Sequence, residues 1–151
     1  MTPVAIALGS NLGDREQYLR NAITAIAPIV QNLRVSTFHD TAPVGVGLQP
    51  TFLNAAAVGE SALSALDLLR ALLAIEQKYG RERPFPGAAR TLDLDLILYD
   101  DAIEQSPELT LPHPRFRERR FVLAPLAEIA PDWRDPVTGR SVDELLRALN
   151  Q

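Results

Sequence analysis

Cysteine is absent from this sequence, so neither a disulfide framework nor a thiolate metal site can form, and the chain suits a reducing compartment. Lysine is almost absent as well. Lys78 is the one lysine among 15 basic residues, and the planar fork of arginine suits phosphate, although codon usage alone would produce the same excess. Positive charge is not in surplus: the formal net charge of −4 offers no broad pull towards DNA, RNA or anionic lipid, so an anion site has to be local. No apolar run is long enough to span a bilayer. The start, Met1-Thr2-Pro3-Val4-Ala5, has no basic segment followed by an apolar core, so it does not read as a secretory signal and a cytoplasmic location is expected. No glycine-rich segment ends in Gly-Lys-Ser/Thr, Asn11-Leu12-Gly13 lacks the dinucleotide-binding pattern, and nothing around Ser10, Ser36 or Ser61 resembles a nucleophile elbow.

What is present is enough apolar surface for a core, 46% of the residues, and no repeat, low-complexity tract or linker divides it. One domain covering residues 1–151 is the simplest organisation. Val4 to Leu8 reads as a buried strand broken by Gly9-Ser10-Asn11. Leu12, Leu19, Ala22, Ile23 and Ile26 then give a helical stripe that ends near Pro28. Arg34 to Thr41 and Leu53 to Val58 read as further strands. Ser64 with Asp67 resembles a capping box, before a helix with the stripe Leu66, Leu69, Leu72 and Leu73 that stops at Gly80. Leu92 to Tyr99 is the fourth strand, and Val122 to Ile129 and Val142 to Leu149 form a short helical C-terminal extension. The order β-α-β-β-α-β is that of an α+β, split-βαβ, ferredoxin-like arrangement, with helices on one face of a mainly antiparallel sheet.

Leucine and aspartate alternate in Leu92-Asp93-Leu94-Asp95-Leu96-Ile97-Leu98. A period of two puts both carboxylates on one strand face, with Ile97 and Tyr99 expected to follow them there. Two like charges so close call for a cation or for water. As hard oxygen ligands they suit Mg²⁺ bridging phosphates, and a solvated strand face is the alternative. Glu76 falls where the helical stripe would continue, in a last turn whose dipole disfavours an anion. Either Arg81 or Arg83 compensates it in a local ion pair, or it binds a ligand. The connection from Gly80 to Arg90 carries Arg81, Arg83 and Arg90 straight into the aspartate strand, as a solvated loop or as one that closes over phosphates. His113, between Pro112 and Pro114, opens a basic stretch with Arg115, Arg117, Arg119 and Arg120, and could donate to phosphate or move a proton. His39, at a strand end, reads as structural.

Four blocks in order, Ala7-Leu8-Gly9-Ser10-Asn11-Leu12-Gly13, Phe52-Leu53-Asn54-Ala55-Ala56, Arg90-Thr91-Leu92-Asp93-Leu94-Asp95-Leu96 and Leu111-Pro112-His113-Pro114-Arg115, resemble the 6-hydroxymethyl-7,8-dihydropterin pyrophosphokinase family of folate biosynthesis. The resemblance runs nearly end to end. It implies a ferredoxin-like monomer, with small-molecule substrates only, that moves the β,γ-pyrophosphoryl group of ATP to the pterin hydroxymethyl oxygen and releases AMP. It implies that Asp93 and Asp95 ligate two Mg²⁺ ions, Asp95 being the more natural proton acceptor. Arg81, Arg83 and Arg90 match the family's nucleotide-loop arginines, Arg81 and Arg90 with catalytic roles. Glu76, Leu96, Thr110, His113 and Arg119 match its nucleotide contacts, and Thr41, Val44, Phe52, Asn54 and Phe121 its pterin pocket. A flat heteroaromatic ring wants the stacking that Phe52 and Phe121 supply, and its amidine-like edge wants an amide such as Asn54. The chain departs from some members in Pro86-Gly87-Ala88-Ala89, where they carry a tryptophan and a Gly-Pro pair. It departs also in Glu108 for an arginine, and in Ala42 and Phe52 for a proline and a tyrosine. A non-catalytic nucleotide- or protein-binding module on the same fold, and a Mg²⁺-dependent transferase acting on another alcohol, are the competing readings.

Overall fold

The computed structural model describes residues 1–11, 13–41, 52–80 and 92–149. In chain order the elements are β1 (Thr2–Ser10), α1 (Arg15–Ile26), β2 (Gln31–Val35), β3 (His39–Thr41), β4 (Phe52–Ser61), α2 (Ala65–Tyr79) and β5 (Asp93–Tyr99). A hairpin of β6 (Glu104–Gln105) and β7 (Thr110–Leu111), a 3₁₀ turn (Phe116–Glu118), α3 (Arg120–Ile129) and α4 (Val142–Leu149) complete them. The main sheet runs β2-β4-β1-β5, every pairing antiparallel, with β3 also on β4. This is the expected ferredoxin-like order.

The side chain of Asp14 accepts the N–H of Gln17 to start α1, and Ser64 accepts that of Asp67 to start α2, each satisfying a donor that the first helical turn leaves orphaned. Along α1, Leu19, Ala22 and Ile26 are buried as the spacing predicts, while Leu12 lies outside the described residues. The stripe of α2 is rotated from the expected one. Ala65, Leu68, Leu72 and Ile75 are buried, Leu66 and Leu69 flank them, and Leu73 faces solvent at 44% exposure. In a run so rich in leucine, periodicity alone permits several faces, and docking onto β5 and α1 selects one.

The strand expected over Arg34 to Thr41 is two strands. At the break, the Ser36 hydroxyl accepts the N–H of Ala56 and donates to the Thr37 carbonyl, so a side chain takes over a ladder position. β4 runs on past Val58 to Ser61 because Gly59 admits close contact: a Cβ there would meet the Gln31 carbonyl oxygen and a Val30 methyl, each at 2.6 Å.

Helices cover both faces of the sheet rather than one. Val4, Ile6, Leu8 and, from β5, Leu94 and Leu96 pack with α1 and α2, while Ala5, Ala7, Ala56, Val58, Ile97 and Leu98 pack with α3 and α4. A β-bulge sets the second face. Ala7 pairs with Asp95 and Ile6 with Leu96, but Ala5 pairs with Leu98, which leaves Ile97 as the extra residue. Beyond it the parity of β5 inverts. Ile97 and Leu98 therefore both lie on the aspartate side. Tyr99, expected there, points to the α1/α2 side, where its hydroxyl donates to the Leu63 carbonyl at 2.7 Å.

Candidate functional site

Antiparallel register places Asn54, Gly9 and Asp93 in one row across β4, β1 and β5, and Ala56, Ala7 and Asp95 in the next. Residues in register share a face. Gly9 and Ala7 thus form a flat floor between an amide on one side and two carboxylates on the other. Above this floor opens a cleft of about 320 Å³ lined by Phe52, Asn54, Asp93, Asp95, Arg119 and Phe121, with Ala7, Leu8, Gly9 and Val122.

Each wall is held by its own element. Asn54 is 5% exposed, and its Nδ2 donates to Thr41 Oγ1 at 2.7 Å, so β3 fixes the amide plane. One N–H and Oδ1 remain for a ligand edge. Thr41 stands behind Asn54 rather than in the cleft lining. Phe121, at the start of α3, is 42% exposed with the Arg119 guanidinium 5.6 Å from its ring centroid. Glu128, near the end of α3, ties this helix to the edge that carries Thr41. Its carboxylate accepts the N–H of Thr37 at 3.0 Å and the Thr37 hydroxyl at 2.7 Å, and lies 3.3 Å from His39 Nε2. The Thr37 hydroxyl, helped by His39, holds the Glu128 carboxyl below its ordinary range. His39, read from the sequence as structural, takes part in this tie between α3 and β3.

Glu76, Leu96, Thr110 and His113 are not in the cleft. Glu76, Thr110 and His113 flank the outer edge of β5, and Leu96 is a residue of that strand, buried on its α1/α2 side. Glu76 Oε2 accepts the N–H of Leu94 at 2.6 Å. The N–H of His113 donates to the Ile97 carbonyl at 3.0 Å, and β7, with Thr110, packs beside β5. Burial lowers the pKa of His113 from its ordinary value; Asp95 pulls it up, and Arg119 and Arg115 push it down. His113 Nδ1 faces the N–H of Arg115 at 3.3 Å, so the neutral ring carries its proton on Nε2, as a donor. The proposed sites on Val44, Arg81, Arg83 and Arg90 lie outside the described residues. Glu108, an odd residue in the sequence, pairs on the surface with Arg70 at 2.8 Å.

Among the described residues no group of three or more His, Cys, Asp or Glu gathers to hold a metal by itself. Two hard carboxylates on one strand face, without soft ligands, fit Mg²⁺ that completes its shell with phosphate oxygens and water. Among the described residues no helix is long and apolar enough to cross a membrane.

Sequence reasoning missed the floor. Gly9 and Ala7 carry no chemistry of their own, and only pairing with Asp93 and Asp95 reveals them. The sequence profile of the 7,8-dihydro-6-hydroxymethylpterin-pyrophosphokinase (HPPK) family matches residues 5–131. A 2-amino-4-hydroxy-6-hydroxymethyldihydropteridine pyrophosphokinase of Pseudomonas aeruginosa is 42% identical over 147 residues, covering 96% of this chain and 90% of the relative. One of the same name from Synechocystis sp. is 41% identical, covering 96% of this chain and 75% of the relative. In fold, the chain is similar to the crystal structure of wild-type Plasmodium falciparum HPPK-DHPS, with a TM-score of 0.78 at 12% identity, covering 97% of this chain and 44% of that one. With the profile and these relatives spanning nearly all of its length, the chain belongs to the 7,8-dihydro-6-hydroxymethylpterin-pyrophosphokinase family.

Proposed function

We propose that this chain transfers the β,γ-pyrophosphoryl group of ATP to the hydroxymethyl oxygen of 6-hydroxymethyl-7,8-dihydropterin, giving AMP and the pterin diphosphate in folate biosynthesis. The observation that carries the reading is the row Asn54, Gly9, Asp93. Two interstrand spacings, roughly 10 Å, separate the amide strand from the carboxylate strand. A flat bicyclic ring lying on Gly9, with its amidine-like edge on Asn54, therefore sends the substituent at its far end towards Asp93 and Asp95. Phe52 and Phe121 would stack on that ring.

Asp93 and Asp95 would hold Mg²⁺, two ions by family likeness, which supplies charge neutralisation on the phosphate oxygens and a lower proton affinity at the acceptor hydroxyl. Asp95 is the residue proposed to receive the hydroxyl proton. His113, through Nε2–H, and Arg119 would bind phosphate oxygens, and Leu96, Thr110 and Glu76 would seat the nucleoside along the outer edge of β5. Arg81, Arg83 and Arg90 would close over the phosphates and exclude water, so that the displacement proceeds in line rather than to hydrolysis. A cytoplasmic monomer, one domain over residues 1–151, completes the proposal.

The test incubates purified protein with ATP, Mg²⁺ and the hydroxymethyl dihydropterin. AMP is expected in step with pterin consumption. ADP as the product, or AMP released without acceptor, overturns the assignment.

A further inference from the structure

Gly9 is an ordinary strand residue in conformation, unlike Gly13 and Gly139, whose φ values of +67° and +75° favour glycine. Its backbone therefore does not demand glycine. Nor does close packing of main chain, as at Gly59. A Cβ on Gly9 would lie 3.0 Å from Asn54 Oδ1, and the next nearest atom, the Leu53 carbonyl oxygen, is at 4.0 Å. The one tight neighbour is thus the amide that the cleft presents. That amide has no free retreat, because Thr41 Oγ1 holds its Nδ2 at 2.7 Å and the side chain is buried.

We propose that Gly9 is a positioning residue for the acceptor: the space where its side chain would stand is the space in which the Asn54 amide lies flat. A methyl group here either breaks the bond to Thr41 or tilts Oδ1 out of the ring plane. Acceptor recognition is lost while nucleotide binding, seated on β5, is kept. The inference rests on the pterin reading of the cleft.

The test is a double-mutant cycle of Gly9→Ala and Asn54→Ala, read by titration calorimetry with 6-hydroxymethylpterin in the presence of Mg²⁺ and a non-hydrolysable ATP analogue. The analogue is titrated separately. Gly9→Ala is expected to weaken pterin binding by about 10-fold, the scale of one buried amide hydrogen bond lost or misaligned, with analogue binding unchanged. In the Asn54→Ala background the same change should weaken pterin binding clearly less, the remainder reading the methyl group's own contact with the ring that lies on Gly9. An equal loss in both backgrounds, unchanged pterin affinity, or a matching loss of analogue affinity overturns the positioning role. Wild-type protein that binds the analogue but no pterin overturns the acceptor reading itself, and this inference with it. Should Gly9→Ala fail to fold, the cycle is read on Tm. A folded double variant as stable as Asn54→Ala supports the contact with Asn54, and an unfolded one refutes it.

Discussion

The carboxylate of Glu76, in the last turn of α2, accepts the amide N–H of Leu94, the residue between Asp93 and Asp95 on β5. An outward-facing N–H on an edge strand needs an acceptor, and an anion at a helix C-terminus needs a donor. Each supplies the other. Glu76→Ala is expected to lower the unfolding free energy by about 1.5–3 kcal/mol, the range for a hydrogen bond to a charged group, and Glu76→Gln, which keeps a neutral acceptor, by about half as much. Urea denaturation at equal protein concentration reads the difference. Equal losses in the two variants would show that the bond to Leu94 is not the source.

The paired carboxylates predict a loss of turnover. Asp93 and Asp95 share a face, half-buried. Turnover by Asp95→Ala should fall by more than about 100-fold, beyond the usual effect of losing a residue that merely supports a metal ligand. Asp95→Ala is also expected to stay folded and to bind pterin. Near-normal turnover would remove the metal-ligand role.

Arg117 and Asp135 predict an acid limit to stability. Two guanidinium nitrogens of Arg117, Nε and Nη2, donate to the fully buried carboxylate of Asp135, Nη2 to Oδ1 at 2.8 Å. The Thr138 hydroxyl and the Val137 N–H add bonds at 2.7 and 3.0 Å. Burial by itself would raise the pKa of Asp135, but the bonds from Arg117, Thr138 and Val137 outweigh it and hold the carboxyl below its usual range. A carboxyl depressed by folding stabilises the protein above its unfolded pKa, near 4, and that contribution is lost as pH falls through the lower folded value. Tm measured from pH 6 down to pH 2 should fall less steeply for Asp135→Asn than for wild type. Arg117→Ala, which strands a buried carboxylate that keeps two other bonds, is expected to cost about 3 kcal/mol at neutral pH.

Gly59→Ala should destabilise by about 1–3 kcal/mol, because the added methyl meets both the Gln31 carbonyl oxygen of β2 and the buried Val30 side chain. Chemical denaturation compares it with wild type, and a loss under about 0.5 kcal/mol would mean that β2 moves aside freely. Acceptor binding should be unaffected.

Local periodicity and the family blocks carried much of this protein. Alternation in Leu92 to Leu96 put two carboxylates on one face, Ser64 stood where a helix start needs a side-chain acceptor, and the span of α4 was legible to the residue. These are properties of a few neighbouring residues and their backbone period, so no distant contact is needed to read them. What only the tertiary structure decided depends on pairing between segments far apart in the chain. The extra residue at Ile97 turns Tyr99 away from Asp95, and the leucine-rich α2 settles on Leu68 and Ile75 rather than Leu73 because the sheet offers one docking face. Glu76 was recognisably out of place, but its partner, a main-chain N–H, has no letter in the sequence. The same holds for Gly9, whose role comes from lying between Asn54 and Asp93: register, set by the whole sheet, turns an empty side chain into the floor of the cleft.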